Sequence, residues 1–311
     1  MTEPDLTVDL CGLRLRNPFI LAAGILGTTA ALLERVARHG AGAVTAKSCS
    51  VEPRAGHPNP TVLPWQGGLI NAVGLANPGA EAMVGILREA RERCAPLGVP
   101  VIASVFGDTA AAFGEVTRTL EAAAPDLYEV NISCPNVEAE FGRPFAADPA
   151  QAASATAAVR AATKRPVMVK LSANVNDICG VARAVVEAGA DAIAAINTLG
   201  PGMLIDIRAR APILANRVGG LSGPAIRPVA VRCVYDLSRA VNVPIVGMGG
   251  VTTGEDAVEM IMAGATAVGV GSVFYYRGVE ACEPLTAELC AFMAGQGYAT
   301  VAAMRGAAHG A

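Results

Sequence analysis

The sequence is poor in charged residues and has no basic run. Only 16% of its 311 residues are Asp, Glu, Lys or Arg, and the formal net charge is −3. Surfaces that bind nucleic acids carry clustered positive charge, so we expect no nucleic-acid partner. The chain is 52% hydrophobic. This composition predicts a large buried core and further surface that is covered by another subunit.

The sequence also lacks the patterns that bind metals, iron–sulfur clusters and dinucleotides. Its eight cysteines are scattered, none forms a C-x-x-C pair, and its three histidines are dispersed. Such cysteines are typical of small buried residues in a reducing compartment, so we expect no metal site in this chain. No G-x-G-x-x-G stands between a predicted strand and helix, so we expect no NAD site either.

A membrane span and a secretory signal are not expected. The apolar, uncharged run "MIMAGATAVGVGSVFYY" at residues 260–276 contains three glycines. It predicts the end of a helix followed by a buried strand, rather than a transmembrane helix. The start, "MTEPDLTVDL", is acidic and polar, unlike the basic region of a signal peptide. We therefore expect a cytoplasmic protein.

One unit recurs along the chain. In "HGAGAVTAKS", "EAGADAIAAINT" and "MAGATAVGVGS", a helix-like stretch ends in glycine, and a short apolar run follows it and closes on a polar residue. The glycine is typical of a helix C-cap, and the run is typical of a buried parallel strand. Five similar strands are "PFILAAG", "PVIASVFG", "DLYEVNIS", "PVMVKLS" and "VPIVGMGG".

Eight strands that alternate with alanine-rich helices predict an α/β fold, a closed (β/α)8 TIM barrel. We expect residues 1–311 to form a single barrel domain. The opening "LTVDLCGLRLRNP" predicts an N-terminal β-hairpin, and the remaining segments predict inserted loops at the C-terminal face of the barrel. Barrels of this kind carry their chemistry on that face, so the residues that close the strands become the candidate site.

The strand ends carry groups suited to an anionic, flat ligand. "GMGG", "GVGS" and the "GGLSG" loop can bring backbone N–H groups to a phosphate, although simple turn glycines are an alternative. Lys47 and Lys170 close apolar strands, where an anionic or electron-rich partner would offset their burial; surface lysines are the alternative. Cys134 follows "VNIS" among asparagines and can act as a base or nucleophile.

Five motifs resemble one enzyme family. They are "NAVGLANPG", "NISCPNV", "INT", "GGLSGPAIRP" and "GMGG". Together they resemble the soluble, cysteine-using dihydroorotate dehydrogenases, from "LRNPF" to "GVGS". The segment "INTLGPGMLIDIRARAPILANRVGGLSG" is most similar to the NAD-linked, two-subunit subclass. The resemblance implies oxidation of dihydroorotate to orotate in pyrimidine biosynthesis, with one FMN per chain.

The resemblance also implies roles for individual residues. Cys134 would be the base that takes the C5 proton, and Lys47 would act beside it at the flavin. The implied substrate-binding residues are Lys47, Asn71, Val73, Gly74, Leu75, Asn131, Asn136, Asn197 and Thr198. The implied FMN-binding residues are Ala23, Gly24, Lys47, Ser48, Ser104, Asn131, Lys170, Ile196, Gly223, Gly249, Gly250, Gly271 and Ser272. The turn-rich "NVEAEFGRPFAADP" would close as a lid.

The implied assembly is a homodimer that docks two subunits carrying FAD and an iron–sulfur cluster, which gives a heterotetramer. Two positions depart from the family pattern. Ser104 stands where asparagine is common, and Thr61 stands where the "GNPxPR" loop has arginine. The alternatives are a dihydropyrimidine dehydrogenase-type flavoenzyme, a phosphate-binding aldolase or isomerase barrel without flavin, and a scaffold subunit without activity.

Overall fold

The computed structural model describes residues 3–133 and 145–310. Its strands, in chain order, are β1 (Val8–Leu10), β2 (Leu13–Leu15), β3 (Phe19–Leu21), β4 (Ala43–Thr45), β5 (Val62–Trp65), β6 (Gly68–Asn71), β7 (Val101–Val105), β8 (Leu127–Asn131), β9 (Val167–Leu171), β10 (Ala192–Ala195), β11 (Leu199–Gly202), β12 (Ile205–Asp206), β13 (Ala211–Pro212), β14 (Gly219–Ser222), β15 (Ile245–Met248) and β16 (Ala267–Val270). Strands β1 and β2 pair antiparallel and form the predicted N-terminal hairpin.

Eight of these strands close into one barrel. Their order around the barrel is β10-β15-β16-β3-β4-β7-β8-β9, and every neighbouring pair is parallel. These are the eight strands expected from the sequence, so the predicted (β/α)8 fold is confirmed. Parallel strands that follow one another around a barrel all end on the same face, which therefore collects the residues that close them.

Helices follow the barrel strands and cover the outside of the barrel. They are Ala30–Arg38, Ala80–Cys94, Ala110–Leu120, Pro149–Ala162, Ile178–Glu187, Arg227–Ala240, Gly254–Met262, Val273–Arg277, Cys282–Gln296 and Val301–Met304. Local sequence sets several of their ends. Thr29 and Thr109 cap helix N-termini by accepting backbone hydrogen bonds. Gly40, Gly189 and Gly264 follow helices with positive φ, as the recurring glycine predicts.

The inserted loops contain a second sheet. Strands β11, β14, β6 and β5 form an antiparallel four-stranded sheet, in which Asn71 pairs with Gly220. Its strands come from the segments that follow barrel strands β4 and β10. The sequence predicts insertions at this face, but not that they join each other. Their position at the barrel mouth lets them complete the walls of the site described below.

The barrel core is apolar over most of its height and polar near one end. Strands β7, β8 and β9 are buried along their whole length, since helices cover one side and the packed barrel interior covers the other. Ser104 and Glu129 are nevertheless buried, each only 1% exposed. Within the described ranges, the helices are too short or too polar to cross a lipid bilayer.

Candidate active site

A cavity opens where the barrel strands end. Its volume is about 220 Å³. Its walls are formed by Ala22, Ala23, Gly24, Ile25, Lys47, Ser48, Val62, Leu69, Asn71, Val73, Gly74, Leu75, Asn131, Lys170, Ile196, Asn197, Thr198, Ser222, Ile226, Met248, Gly249, Gly250, Val251, Gly269, Gly271 and Ser272. Most of the residues expected from the sequence therefore lie together around one space.

One end of the cavity is lined by the glycines that follow β15 and β16. Gly249 and Gly250 have φ angles of 132° and 76°, which residues with a Cβ rarely adopt. A Cβ on Gly250 would lie 2.6 Å from the carbonyl oxygen of Gly223. Gly271 differs, because its nearest neighbours would be the side chains of Ala22 and Ile25, each 3.7 Å away. Glycine at these positions keeps side chains out of this part of the cavity, which leaves backbone N–H groups as the candidates to bind a phosphate.

Two buried lysines line the cavity. Lys47 is 8% exposed and Lys170 is 5% exposed. A Cβ added to Gly24 would lie 4.0 Å from the Lys47 ammonium, so glycine leaves this space open. Because both lysines are buried and line the cavity, the alternative of surface lysines is wrong. Their charges favour a ligand that is anionic or becomes so during the reaction.

Asparagine side chains form the polar part of the wall. The Asn131 Nδ2 group donates to Ser48 Oγ at 3.2 Å, and Asn131 Oδ1 accepts from Ser133 Oγ at 3.2 Å. Asn197 Nδ2 donates to Ser133 Oγ at 3.0 Å. Asn71 Nδ2 lies 3.4 Å from the carbonyl oxygen of Gly220, on the inserted sheet. Amide groups held in this way can recognise a ring that has both donors and acceptors on its edges.

Two residues expected at the cofactor do not line the cavity of the described structure. Ser104 lies beneath Ser48, and the two hydroxyl oxygens are 2.7 Å apart. Gly223 is buried next to the wall residue Ser222, and a Cβ added to it would lie 2.8 Å from Gly68 Cα. The pairing of β7 with β8 sets the position of Ser104. It places Ser104 beside Glu129, facing inwards one layer below the cavity. For both residues, contact with the cofactor stays a prediction from the sequence.

The predicted base falls between the two described ranges. Cys134, Asn136 and most of the predicted lid lie outside the described residues. Burial raises the pKa of the thiols of Cys49 and Cys282 to about 12 and of Cys94 to about 11. These three thiols stay protonated near neutral pH, and none of them is part of the cavity wall. Their packing role matches the sequence interpretation, while the role of Cys134 stays a prediction.

Glu129 and most of the apolar wall were not among the residues expected from the sequence. Glu129 stands two residues before Asn131 on β8, and strand alternation places both on the inner side. That spacing was the signal for a buried carboxylate below the site. The apolar wall residues Val62 and Leu69 come from the inserted sheet, whose pairing has no local signature. In the two described ranges, no group of three His, Cys, Asp or Glu residues is arranged to hold a metal ion.

Comparison with known proteins gives the chain its family. The family model for dihydroorotate dehydrogenase matches residues 5–293. The chain is 46% identical over 304 residues to a dihydroorotate dehydrogenase B (NAD(+)), catalytic subunit, of Methanothermobacter thermautotrophicus, covering 98% of both chains. It is 48% identical to the protein of the same name from Methanosarcina mazei, covering 98% of this chain and 95% of the relative. For the Pyrococcus horikoshii protein of that name, identity is 40% and coverage 97% of each. The chain belongs to the dihydroorotate dehydrogenase family.

Proposed function

We propose that this protein oxidises dihydroorotate to orotate in pyrimidine biosynthesis, as the FMN-binding catalytic subunit of an NAD-linked dihydroorotate dehydrogenase. The observation that carries this proposal is one cavity whose wall brings together Lys47 and Lys170, the glycines that follow β15 and β16, and a set of asparagines. Full-length similarity to relatives that bear this enzyme name supports it.

The residues of the cavity fit FMN. Gly249, Gly250, Gly271 and Ser272 would hold its phosphate, since backbone groups there can be approached closely. The space that glycine leaves beside Lys47 suits a flat ring. When bound, the flavin supplies the electron acceptor for the oxidation. This arrangement argues against the alternative of an aldolase or isomerase without flavin, and a colourless purified protein would support that alternative.

The other residues would bind and orient the substrate. Asn71, Asn131 and Asn197 supply amide donors and acceptors for the pyrimidine ring. Lys47 would stabilise the negative charge that develops during the reaction. Cys134 would take the proton from C5, a role that the sequence motif supports. A positioned base contributes about 10²–10⁴-fold to the rate of such a step.

The test is turnover by purified protein with an artificial electron acceptor. The parent should contain FMN and oxidise dihydroorotate. We expect Cys134→Ala to retain FMN and lose most activity, while Cys134→Ser keeps part of it at higher pH, because a hydroxyl loses its proton at a higher pH than a thiol does. Cys290→Ala is a matched control outside the described cavity wall and should keep the parent rate.

Two outcomes would contradict this proposal. If Cys134→Ala turned over at the parent rate, another group would be the base. If the parent oxidised dihydrouracil but not dihydroorotate, the dihydropyrimidine dehydrogenase alternative would be favoured. Loss of activity in Cys290→Ala as well would show that the measurement reports damage to the fold rather than loss of a base.

The proposed assembly is a homodimer in the cytoplasm that docks two subunits with FAD and an iron–sulfur cluster. Its support is the term "catalytic subunit" in the names of the relatives, together with a sequence that has no dinucleotide fingerprint. We expect the single chain to use artificial acceptors well and NAD poorly. Robust NAD reduction by the purified single chain would refute the need for the second subunit.

A further inference from the structure

A buried carboxylate lies directly beneath the cavity. Glu129 stands on β8 with its side chain 1% exposed, and the Lys170 ammonium is 4.0 Å from its Oε2 atom. Ser104 Oγ is 2.8 Å from its Oε1 atom. Lys170 makes no hydrogen bond to any residue of the two described ranges. A buried charge needs a partner of opposite sign and hydrogen bonds, and among the described residues Glu129 has one of each.

The carboxylate determines the direction of the hydrogen bonds next to it. An ionised carboxylate accepts only, so the Ser104 hydroxyl must donate to Glu129. A hydroxyl has a single hydrogen, so Ser104 Oγ can only accept from Ser48 Oγ, 2.7 Å away. Ser48 in turn accepts from Asn131 Nδ2 at 3.2 Å. The Asn131 amide nitrogen therefore points towards Ser48.

The same direction continues across the cavity wall. Because its nitrogen faces Ser48, Asn131 presents its oxygen to Ser133 Oγ, which donates to it at 3.2 Å. Ser133 Oγ then accepts from Asn197 Nδ2 at 3.0 Å. We call Asn197, Ser133, Asn131, Ser48, Ser104 and Glu129 the hydrogen-bonded chain. All its donors point towards Glu129, an arrangement in which successive hydrogen bonds strengthen one another.

We propose that Glu129 is a positioning residue for this enzyme. Through the hydrogen-bonded chain it supports the orientation of the Asn131 and Asn197 amides, whose Oδ1 atoms also accept from the backbone N–H groups of Ser133 and Thr198. Through its charge it offsets the Lys170 ammonium and so adjusts how strongly the site favours the reduced cofactor. Both effects rest on the proposed function, since they assume FMN and dihydroorotate in the cavity.

The charge effect is tested with Glu129→Gln. Glutamine keeps an acceptor oxygen for Ser104 but removes the negative charge, so the Lys170 ammonium is no longer offset. Because reduction adds negative charge to the flavin, we expect the midpoint potential of bound FMN to become more positive. Glu187→Gln makes the same chemical change on an exposed helix end and should leave the potential unchanged.

A second variant tests the hydrogen-bonded chain without changing any charge. Ser104→Ala removes the link between Ser48 and Glu129 and creates no new group at the cavity. The loss of one hydrogen bond that orients Asn131 should raise the dissociation constant of orotate by about fivefold. The potential of bound FMN should stay at the parent value, because both Glu129 and Lys170 remain.

The outcomes separate this proposal from the proposed function. A parent without FMN or without dihydroorotate oxidation would contradict the proposed function. If the parent contains FMN and oxidises dihydroorotate, but Glu129→Gln leaves the midpoint potential of bound FMN unchanged, the charge effect is overturned. Glu129→Gln should also be made in a Lys170→Met protein. A shift in midpoint potential as large as in the parent would overturn the charge effect too, since the effect is proposed to act on Lys170. Parent-like orotate binding by Ser104→Ala would overturn the role of the hydrogen-bonded chain.

Discussion

The buried pair of Lys170 and Glu129 makes a quantitative prediction about stability. The two side chains are 6% and 1% exposed, and the shortest distance between their charged atoms is 4.0 Å. Lys170→Met keeps a long apolar side chain of similar volume and removes the ammonium. Glu129 would then remain buried with the Ser104 hydrogen bond but without its cation.

The size of the effect follows from the distance. Two unit charges 4 Å apart attract by about 4 kcal/mol at an effective dielectric constant near 20. Removing one partner of a buried pair typically costs about 3–5 kcal/mol, in agreement with that value. With an unfolding entropy of about 2.1 cal/mol/K per residue, a chain of 311 residues should lose about 6 °C in Tm.

The assay is thermal unfolding of flavin-free protein at pH 7, followed by circular dichroism. Lys164→Met changes an exposed lysine in the same way and should shift the free energy of unfolding by less than about 0.5 kcal/mol. The double variant Lys170→Met with Glu129→Gln should recover more than half of the loss, because no unpaired charge remains. If the double variant lost as much as the two single variants together, the reasoning would be refuted.

Three further predictions concern the cavity and the outer surface. Lys47→Ala should slow reduction of bound flavin by dihydroorotate in single turnovers, with little change in KM, because it stabilises charge that develops in the reaction; an unchanged rate would exclude that role. Gly271→Ala should weaken FMN binding by roughly tenfold at an unchanged Tm, since the added Cβ would stand in the cavity wall without meeting backbone atoms. An FMN affinity equal to that of the parent, measured by titration, would count against the phosphate site. The control Gly85→Ala, on an exposed helix position with no atoms near the added Cβ, should stabilise the protein by about 0.5–1 kcal/mol. Hydrogen bonds from Arg277 lower the pKa of Glu288 from its ordinary value of 4.5, so the stability from this pair is present above that value and is lost as the pH falls through the lowered pKa. Glu288→Gln should therefore destabilise the protein at pH 7 but much less in acid, and an equal loss at both pH values would contradict this.

The local sequence pattern was enough to predict the barrel fold and to assign many residues to the site. The recurring glycine marks helix ends, and the apolar runs that follow it are the strands of the barrel. Since all eight strands end on one face, the residues that close them must lie together whatever the details of packing. For this reason Lys47, Lys170, Asn131 and Asn197 could be assigned to one site from their place in the chain, and the structure brings them to one cavity. The role of Cys134 stays a prediction from its motif.

Only the tertiary structure decided how deep each side chain lies in the barrel and which distant segments pair with each other. Strand register places Ser104 and Glu129 one layer below the cavity, where Ser104 contacts Ser48 and Glu129 rather than a ligand. The inserted sheet joins Asn71 to Gly220, which are far apart in the chain. A local pattern records the period of a strand and the residue that ends it. It does not record the register of that strand against its neighbours, or which strand of another insertion an inserted strand will pair with. Those are set only when the whole chain packs, because they depend on hydrogen bonds and volumes shared between segments that are not adjacent in sequence.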